Sequence, residues 1–179
     1  MIVLGIDPAL RNFGFAKFHL NMSTLALSKL ELELITTESG KEKKVRKNSD
    51  DLDRCRLLHA GLHRVLDGVN MVFVEVPVGS QSARAMMSYG ACVMALASIK
   101  VPLIQLSPIE VKQASVGSKT ATKDEMICWA VENYPEANWL RHGGRLTAAN
   151  EHLADAVATV YAGLKSDQFN QAREILKWA

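Results

Sequence analysis

The sequence predicts an α/β fold, a five-stranded mixed sheet with helices on both faces. Two observations predict it. Apolar runs separated by turn residues fill the first 36 positions, which is typical of strands joined as hairpins, and later in the chain apolar strands alternate with helical patterns. Because alternating helices allow crossovers between parallel strands, we expect three antiparallel strands followed by two parallel ones. A length of 179 residues favours a single domain over residues 1–179.

Five segments carry the apolar patterns of strands. The first and fourth are continuous apolar runs, as in central strands covered on both faces. Turn residues separate the early segments, among them Asp7, Asn12 and Gly14. In chain order, the predicted strands are residues 2–6, 13–20, 25–36, 71–76 and 103–106.

Helical patterns fill the remaining connections. An amphipathic stripe marks residues 51–67, and residues 80–99 are rich in Ala, Met and Gly. Pro108 suits the first turn of a helix, and Thr122 with Glu125 forms a capping box that opens another. The last two predicted helices span residues 146–164 and 170–178.

The composition is that of an ordinary folded protein. Hydrophobic residues make up 48% of the chain and charged residues 22%, with a net charge of +2. This balance does not by itself indicate a nucleic-acid partner. Basic residues concentrate in residues 41–47, where five of the seven are Lys or Arg. Such a run is more often a solvated loop than a binding patch.

Several features favour a cytoplasmic protein. Cys55, Cys92 and Cys128 lie far apart without a C-x-x-C pair, which excludes a standard structural zinc site. The amino-terminal residues lack the basic region of a signal peptide, and Asp7 interrupts their apolar stretch. The longest apolar window, residues 91–99, is too short to cross a bilayer. We therefore expect no membrane association.

Two predicted central strands end in an acid, Asp7 and Glu75. An acid in this position is most often a turn residue. Parallel strands, however, place their carboxyl ends at one edge of the sheet, which is where open α/β folds build their sites. The two carboxylates are therefore candidates for one shared site.

The predicted helix over residues 146–164 has a polar face opposite its apolar stripe. That face carries Glu151, His152, Asp155 and Thr159. A solvated outer face explains these residues as well as a metal site does. Because His152 is nearest to the apolar stripe, it can point toward the sheet, with Asp155 one turn along.

These residues, in this order, resemble the RuvC-type Holliday junction resolvases of bacteria. The resemblance is carried by Ile6-Asp7-Pro8 with Arg11 and Gly14, by Glu75 after Val-Phe-Val, and by His152-Leu153-Ala154-Asp155-Ala156. It extends over Val111-Lys112-Gln113, Val116-Gly117 and Lys123, which are similar to the family's lysine-bearing DNA segment. The resemblance implies an RNase H-like fold.

The resemblance also implies a metal-dependent DNA endonuclease that resolves four-way junctions. The implied catalytic residues and metal ligands are Asp7, Glu75, His152 and Asp155, holding two Mg²⁺ or Mn²⁺ ions, with Glu151 as the reserve ligand. The resemblance implies Lys112 and Lys123 as DNA-contacting residues. We expect further DNA-binding residues in Lys119, Arg11 and the basic run with Lys43, Lys44, Arg46 and Lys47. No small-molecule cofactor is implied. Because a four-way junction offers two symmetric strands to nick, we expect a homodimer.

The sequence also departs from the family. Ala9 stands where the family usually has Gly, and some members carry Asp in place of His152. Residues 76–82 contain no aromatic, whereas cellular resolvases carry one there that stacks on a junction base. Residues 79–84 are more similar to phage-encoded relatives.

Three alternatives stay open at this point. The missing aromatic favours a nuclease for flaps, forks or three-way branches, with no preference for four-way junctions. A non-catalytic junction-binding protein is a second alternative, although all four ligand positions are filled. An ATP-binding protein of the actin and sugar-kinase class is a third, but the chain lacks a second phosphate loop and lobe.

Overall fold

A five-stranded mixed sheet forms the centre of the molecule. The computed structural model describes residues 1–38, 46–76 and 82–176. The strands are β1 (Ile2–Asp7), β2 (Asn12–Leu20), β3 (Leu27–Thr36), β4 (Met71–Glu75) and β5 (Leu103–Leu106), in the spatial order β3-β2-β1-β4-β5. The β3-β2-β1 pairs are antiparallel and the β1-β4-β5 pairs are parallel. The predicted sheet is confirmed.

Helices cover both faces of the sheet, as predicted. They are α1 (Lys47–Val65), α2 (Ala83–Ala97), α3 (Pro108–Ser115), α4 (Lys123–Asn133), α5 (Asn150–Lys165) and α6 (Asp167–Leu176). α1 and α2 pack on one face, and α3 to α6 contribute to the core on the other. The capping box of Thr122 and Glu125 is present, and a second one, Ser107 with Glu110, precedes α3. These boxes satisfy backbone N–H groups that a helix start leaves unpaired.

The alternation of side chains along β1 and β4 decides where the two strand-ending acids point. On β1, Ile6 packs toward α1 and α2, whereas Val3 packs on the α5 side; on β4, Phe73 also packs on the α5 side. Asp7 lies four positions after Val3, and Glu75 lies two positions after Phe73. Because side chains alternate between the two faces of a strand, both acidic side chains point to the α5 side of the sheet. The parallel register pairs the residues just before them, which sets the two acids side by side.

Two glycines bring α5 close to the sheet. A Cβ on Gly5 would overlap the carbonyl oxygen of Ala156, and a Cβ on Gly14 would overlap that of His152. Gly14 pairs with Asp7 across the β1-β2 ladder. Gly14 was named among the turn residues although the predicted strand over residues 13–20 contains it; the turn assignment is wrong and the strand assignment is confirmed. Gly14 lies within β2 and leaves the space that seats the first turn of α5 over Asp7.

The predicted helix start at residue 146 is also wrong. Residues 141–146 instead form a hairpin of two short strands, β6 (Arg141–His142) and β7 (Arg145–Leu146), and α5 begins at Asn150. Gly143 and Gly144 form the turn with φ of 56° and 80°, a conformation that glycine adopts without strain. The Gly-Gly pair was the sequence signal for this hairpin.

The polar face of α5 is not a solvated outer face. Thr159 is fully buried, and its hydroxyl donates to the carbonyl oxygen of Asp155. Glu151, His152 and Asp155 are half-buried at the carboxyl edge of the sheet. The solvated-face alternative is therefore wrong, and these three side chains belong to an enclosed polar cluster.

Some predicted features lie outside the described residues. These are most of the basic run, with Lys43 and Lys44, and the end of the last helix, with Trp178. In the part of the chain that is described, no helix combines the length and apolar character needed to cross a bilayer.

Candidate active site

The side chains predicted to bind metal meet where β1 and β4 end, beneath the first turn of α5. His152 Nδ1 lies 2.6 Å from Asp7 Oδ2. Glu75 lies close enough to Asp7 and Asp155 for both charges to act on it. The structure thus brings Asp7, Glu75, His152 and Asp155 into one cluster, assembled from two strands and one helix.

Both ring nitrogens of His152 lie within contact distance of polar side chains. Nδ1 faces the Asp7 carboxylate, whereas Nε2 lies 3.2 Å from Asn12 Nδ2 and 3.3 Å from Glu151 Oε1. The amide oxygen of Asn12 is itself held by the Thr36 hydroxyl, which donates to it over 3.3 Å. This chain of contacts fixes the ring plane and, through it, one oxygen of Asp7.

Burial and neighbouring negative charges raise the pKa of two carboxyl groups in the cluster. Burial is the main cause for Glu75, whose pKa rises to about 8, and the charges of Asp7 and Asp155 raise it further. Burial also raises the pKa of Asp155 to about 7, with the charge of Asp7 adding to the effect. The charge of Lys112 opposes both shifts, so its ammonium group lies near enough for its charge to act on the cluster.

The pKa of His152 is also raised, although burial acts on it in the opposite direction. Burial disfavours the imidazolium, but the hydrogen bond to Asp7 and the charges of Asp7, Glu151 and Asp155 outweigh burial and raise the pKa. A buried cluster that raises the pKa of its acids and of its histidine has an excess of negative charge.

The donor set fits a hard divalent cation. Carboxylate oxygens with one imidazole are the ligands that Mg²⁺ and Mn²⁺ accept, and a cation would relieve the excess negative charge. Within residues 1–38, 46–76 and 82–176, no three His, Cys, Asp or Glu side chains are arranged to hold an ion as they stand. The Asp7–His152 hydrogen bond occupies one carboxylate oxygen, and the like charges of the carboxylates repel one another. Binding therefore requires these side chains to draw together around the cation.

We expect the stability of the protein without divalent cations to fall as the pH rises from about 4 to about 8 and to level off above that. The pKa values of Glu75 and Asp155, about 8 and about 7, lie above the value of about 4 that carboxyl groups have in unfolded chains. Between these values the folded chain binds more protons than the unfolded chain, so raising the pH costs stability. Thermal melts in EDTA across this range measure the effect.

Glu75→Gln should reduce that pH dependence, because the amide does not titrate while the contribution of Asp155 remains. Glu132→Gln, at an exposed position on α4, is the matched control and should leave the curve unchanged. A melting temperature that is level or rises with pH in the unmodified protein would contradict the raised pKa values.

The predicted lysines lie at different distances from the cluster. The charge of Lys112 acts on the carboxylates of the cluster, and Lys123 Nζ lies 2.6 Å from Glu151 Oε2 at the start of α5. Lys119 is exposed and lines a depression together with Lys165, on the other side of α3. The structure therefore brings Lys112 and Lys123 to the cluster and leaves Lys119 apart from it.

The predicted arginines lie on the surface. Arg11 is exposed and its guanidinium lies 3.6 Å from Glu38 Oε1. Arg46 is exposed at the residue before α1. Lys43, Lys44 and the side chain of Lys47 lie outside the described residues.

Sequence reasoning missed two residues that shape the cluster, Asn12 and Gly14. Both were taken as turn residues. They are two positions apart on β2 and therefore share the face that α5 covers. The sequence signal that could have found them is their distance from the end of β1. In an antiparallel hairpin, residues a few positions after the turn lie beside the last residues of the first strand, as Gly14 lies beside Asp7.

The comparisons with known sequences agree on one family. Residues 3–133 match the sequence model described as "Crossover junction endodeoxyribonuclease RuvC". The protein of that name from Trichlorobacter lovleyi is 31% identical over 176 residues, which cover 94% of this chain and 87% of the relative. The one from Prochlorococcus marinus is 28% identical over 164 residues, covering 92% and 98%.

Solved structures show the same fold. The structure of T. thermophilus RuvC in complex with a Holliday junction substrate has a TM-score of 0.62 and 24% identity, covering 90% of this chain and 92% of that one. The Fowlpox virus resolvase with Holliday junction DNA has a TM-score of 0.57 and 14% identity, covering 93% and 100%. The predicted RNase H-like fold is confirmed. Since the match covers well over half of its residues, the chain belongs to the RuvC family of crossover junction endodeoxyribonucleases.

Proposed function

We propose that this chain is a divalent-metal-dependent endonuclease that resolves four-way DNA junctions by hydrolysing two phosphodiester bonds. One observation carries the proposal: in a member of the RuvC family, Asp7, Glu75 and Asp155 meet at the carboxyl edge of the sheet, with His152 hydrogen-bonded to Asp7. The relatives and structural neighbours carry the names of junction endonucleases and resolvases. A matching family and a matching carboxylate cluster support the same activity.

The carboxylates are the proposed metal ligands. Asp7, Glu75 and Asp155 would hold two Mg²⁺ or Mn²⁺ ions, which supply an activated water and neutralise charge on the transition state. Asp7 is central, because both His152 and Glu75 interact with it, and we assign it as the shared ligand. His152 either orients Asp7 or itself binds a cation once the side chains have drawn together around it. Glu151, beside His152, is the reserve ligand.

Two lysines are placed to hold the DNA backbone. Lys112 lies on α3, near enough for its charge to act on the carboxylates, so it can bind a DNA phosphate beside the proposed metal ligands. Lys123 is 76% exposed in its ion pair with Glu151, and an exposed ion pair of this kind contributes little stability. A DNA phosphate can therefore replace Glu151 as its partner at low cost.

We also propose that the enzyme acts as a homodimer through the apolar face of α2. Met86, Gly90 and Met94 are spaced four residues apart, and Met94 is 71% exposed. Among the described residues, a Cβ added at Gly90 would meet no atom within 4 Å, so they leave space at the centre of this helix surface. An apolar face with a small residue at its centre suits the close approach of a second copy. A two-fold dimer would present two active sites to the two symmetric strands of a junction.

Met94→Glu should convert the dimer to a monomer and abolish coordinated nicking of the two strands. Burying a carboxylate against an apolar partner surface is costly unless it is paired. Size-exclusion chromatography with light scattering measures the mass, and a supercoiled cruciform plasmid distinguishes linear from nicked product. Ile175→Glu on α6, at a position 70% exposed, is the matched control. A Met94→Glu protein that stays dimeric would remove α2 from the proposed interface.

A cleavage assay tests the proposed activity. Four-way, three-way, flap and linear DNA are incubated with Mg²⁺, Mn²⁺ or EDTA, and the products are mapped on gels. Paired symmetric nicks in the four-way junction, dependent on the cation, are the expected result. Equal cutting of all branched forms would favour a broader branched-DNA nuclease. Binding without any cutting would favour a non-catalytic junction-binding protein.

A further inference from the structure

The β6-β7 hairpin is an ordered, exposed element that the carboxylate cluster does not use. Residues 140–146 are exposed without interruption. The turn at Gly143 and Gly144 has no side chains, so the hairpin ends in a narrow tip. The hairpin lies after residues 3–133, which are the part of the chain that the family model matches.

A buried asparagine fixes the base of this hairpin. Asn150 is fully buried; its amide oxygen accepts from Leu140 N, and its amide nitrogen donates to the carbonyl oxygens of Leu140 and Thr147, each over 2.8–2.9 Å. An isolated two-stranded hairpin is only marginally stable in water, so this clamp contributes to its order. Asn150 is the first residue of α5, directly before Glu151 and His152. The hairpin is therefore attached to the same helical turn that completes the cluster.

The hairpin carries positive charge on both of its faces. The register pairs Arg141 with Leu146 and His142 with Arg145, so the two arginines project to opposite faces of the ribbon. Arg141 Nη1 donates to the Gly144 carbonyl over 3.0 Å, which stiffens the turn. Among the ion pairs of the described residues, neither arginine has a carboxylate partner.

We propose that this hairpin lies in a groove of a duplex arm beside the cut site, with Arg141 against one phosphate strand and Arg145 against the other. The inference rests on the proposed DNA endonuclease function. A two-stranded ribbon fits the major groove, and arginines on its two faces then meet the two backbones that line the groove. Contacts to phosphates add affinity without base preference. The glycine tip lets the ribbon approach the floor of the groove without a clash.

The test uses Arg141→Ala with Arg145→Ala, compared with the unmodified hairpin, both carrying Asp7→Asn so that binding is measured without cleavage. Fluorescence anisotropy with a labelled four-way junction is recorded over a range of salt concentrations. Losing two phosphate contacts should reduce the slope of log K against log salt by about 2 and the affinity roughly tenfold. Arg141→Lys with Arg145→Lys should recover most of the slope, because both charges return.

Lys17→Ala with Lys100→Ala is the matched control. Lys17 lies on the α1 side of the sheet and Lys100 lies between α2 and β5, whereas the hairpin is attached to α5 on the other face, so the pair removes the same charge away from the hairpin. An affinity and slope unchanged by the double arginine substitution would overturn the proposal. Equal losses in the control would also overturn it, since the effect would then be one of net charge. A protein with an unmodified hairpin that binds no branched DNA would instead overturn the proposed function itself.

Discussion

Asp7→Asn should reduce junction cleavage on the order of 10³-fold or more while leaving junction affinity within a few-fold. Asp7 is the residue that His152 and Glu75 both engage, so its charge is the one the proposed cation site depends on most. The amide keeps the shape of the side chain but removes that charge. Because the charge of Asp7 raises the pKa of Glu75 and Asp155, its removal should also relieve repulsion in the protein without metal.

Three measurements separate this result from simple misfolding. Nicking rates give the activity, anisotropy gives the affinity, and thermal melts with and without Mn²⁺ report cation binding. The Asp7→Asn protein should fold, bind the junction and lose the stabilisation by Mn²⁺. Asp53→Asn, at an exposed residue paired with Arg56, is the control and should behave like the unmodified protein. Nicking that persists in Asp7→Asn would contradict the assignment of the site.

Gly14→Ala should impair both stability and cleavage. The added methyl overlaps the carbonyl oxygen of His152, and backbone cannot move aside as a flexible side chain does. Overpacking of this kind costs about 1–3 kcal/mol of unfolding free energy. The strain also displaces His152 from Asp7, and a displacement of about 1 Å lowers rates roughly 10²-fold. Urea denaturation and nicking rates, measured where the protein is folded, check the two effects.

Gly61→Ala is the control for this substitution. Its Cβ would meet the end of the Ile35 side chain, which can change rotamer, on the opposite face of the sheet. Cleavage by Gly61→Ala should therefore match the unmodified protein. If Gly14→Ala lost stability but cleaved at the normal rate, the close approach of α5 would support the fold and not the site.

Much of the sheet was predictable because hydrophobic periodicity is a local property. Continuous apolar runs identified β1 and β4, and their final acids, Asp7 and Glu75, were assigned to one edge before any contact was known. The start of α5 was not predictable from periodicity, because the apolar residue Leu146 extends the helical pattern into the hairpin. The Gly143-Gly144 pair signalled the interruption but has no alternating apolar residues around it.

The contacts that orient the cluster could not be predicted from local patterns. Asn12 and His152 are separated by 140 positions, and their hydrogen bond exists because Gly14 allows α5 to approach β2. A residue in such a position looks like a turn residue until the docking of the distant helix is known. Local sequence patterns indicated the candidate side chains. Long-range packing determined the contacts between them, such as those of His152 with Asp7 and Asn12.

The order in which the proposed ligands occur in the chain affects when the site can form. His152 follows Asp7 by 145 positions, and it lies on the helix that fills one side of the core. At ordinary rates of translation, His152 is made roughly 7 to 30 s after Asp7. Until α5 has been synthesised and docked, the emerging chain carries isolated acids at an open sheet edge. Competence to cut DNA should therefore arrive together with completion of the fold.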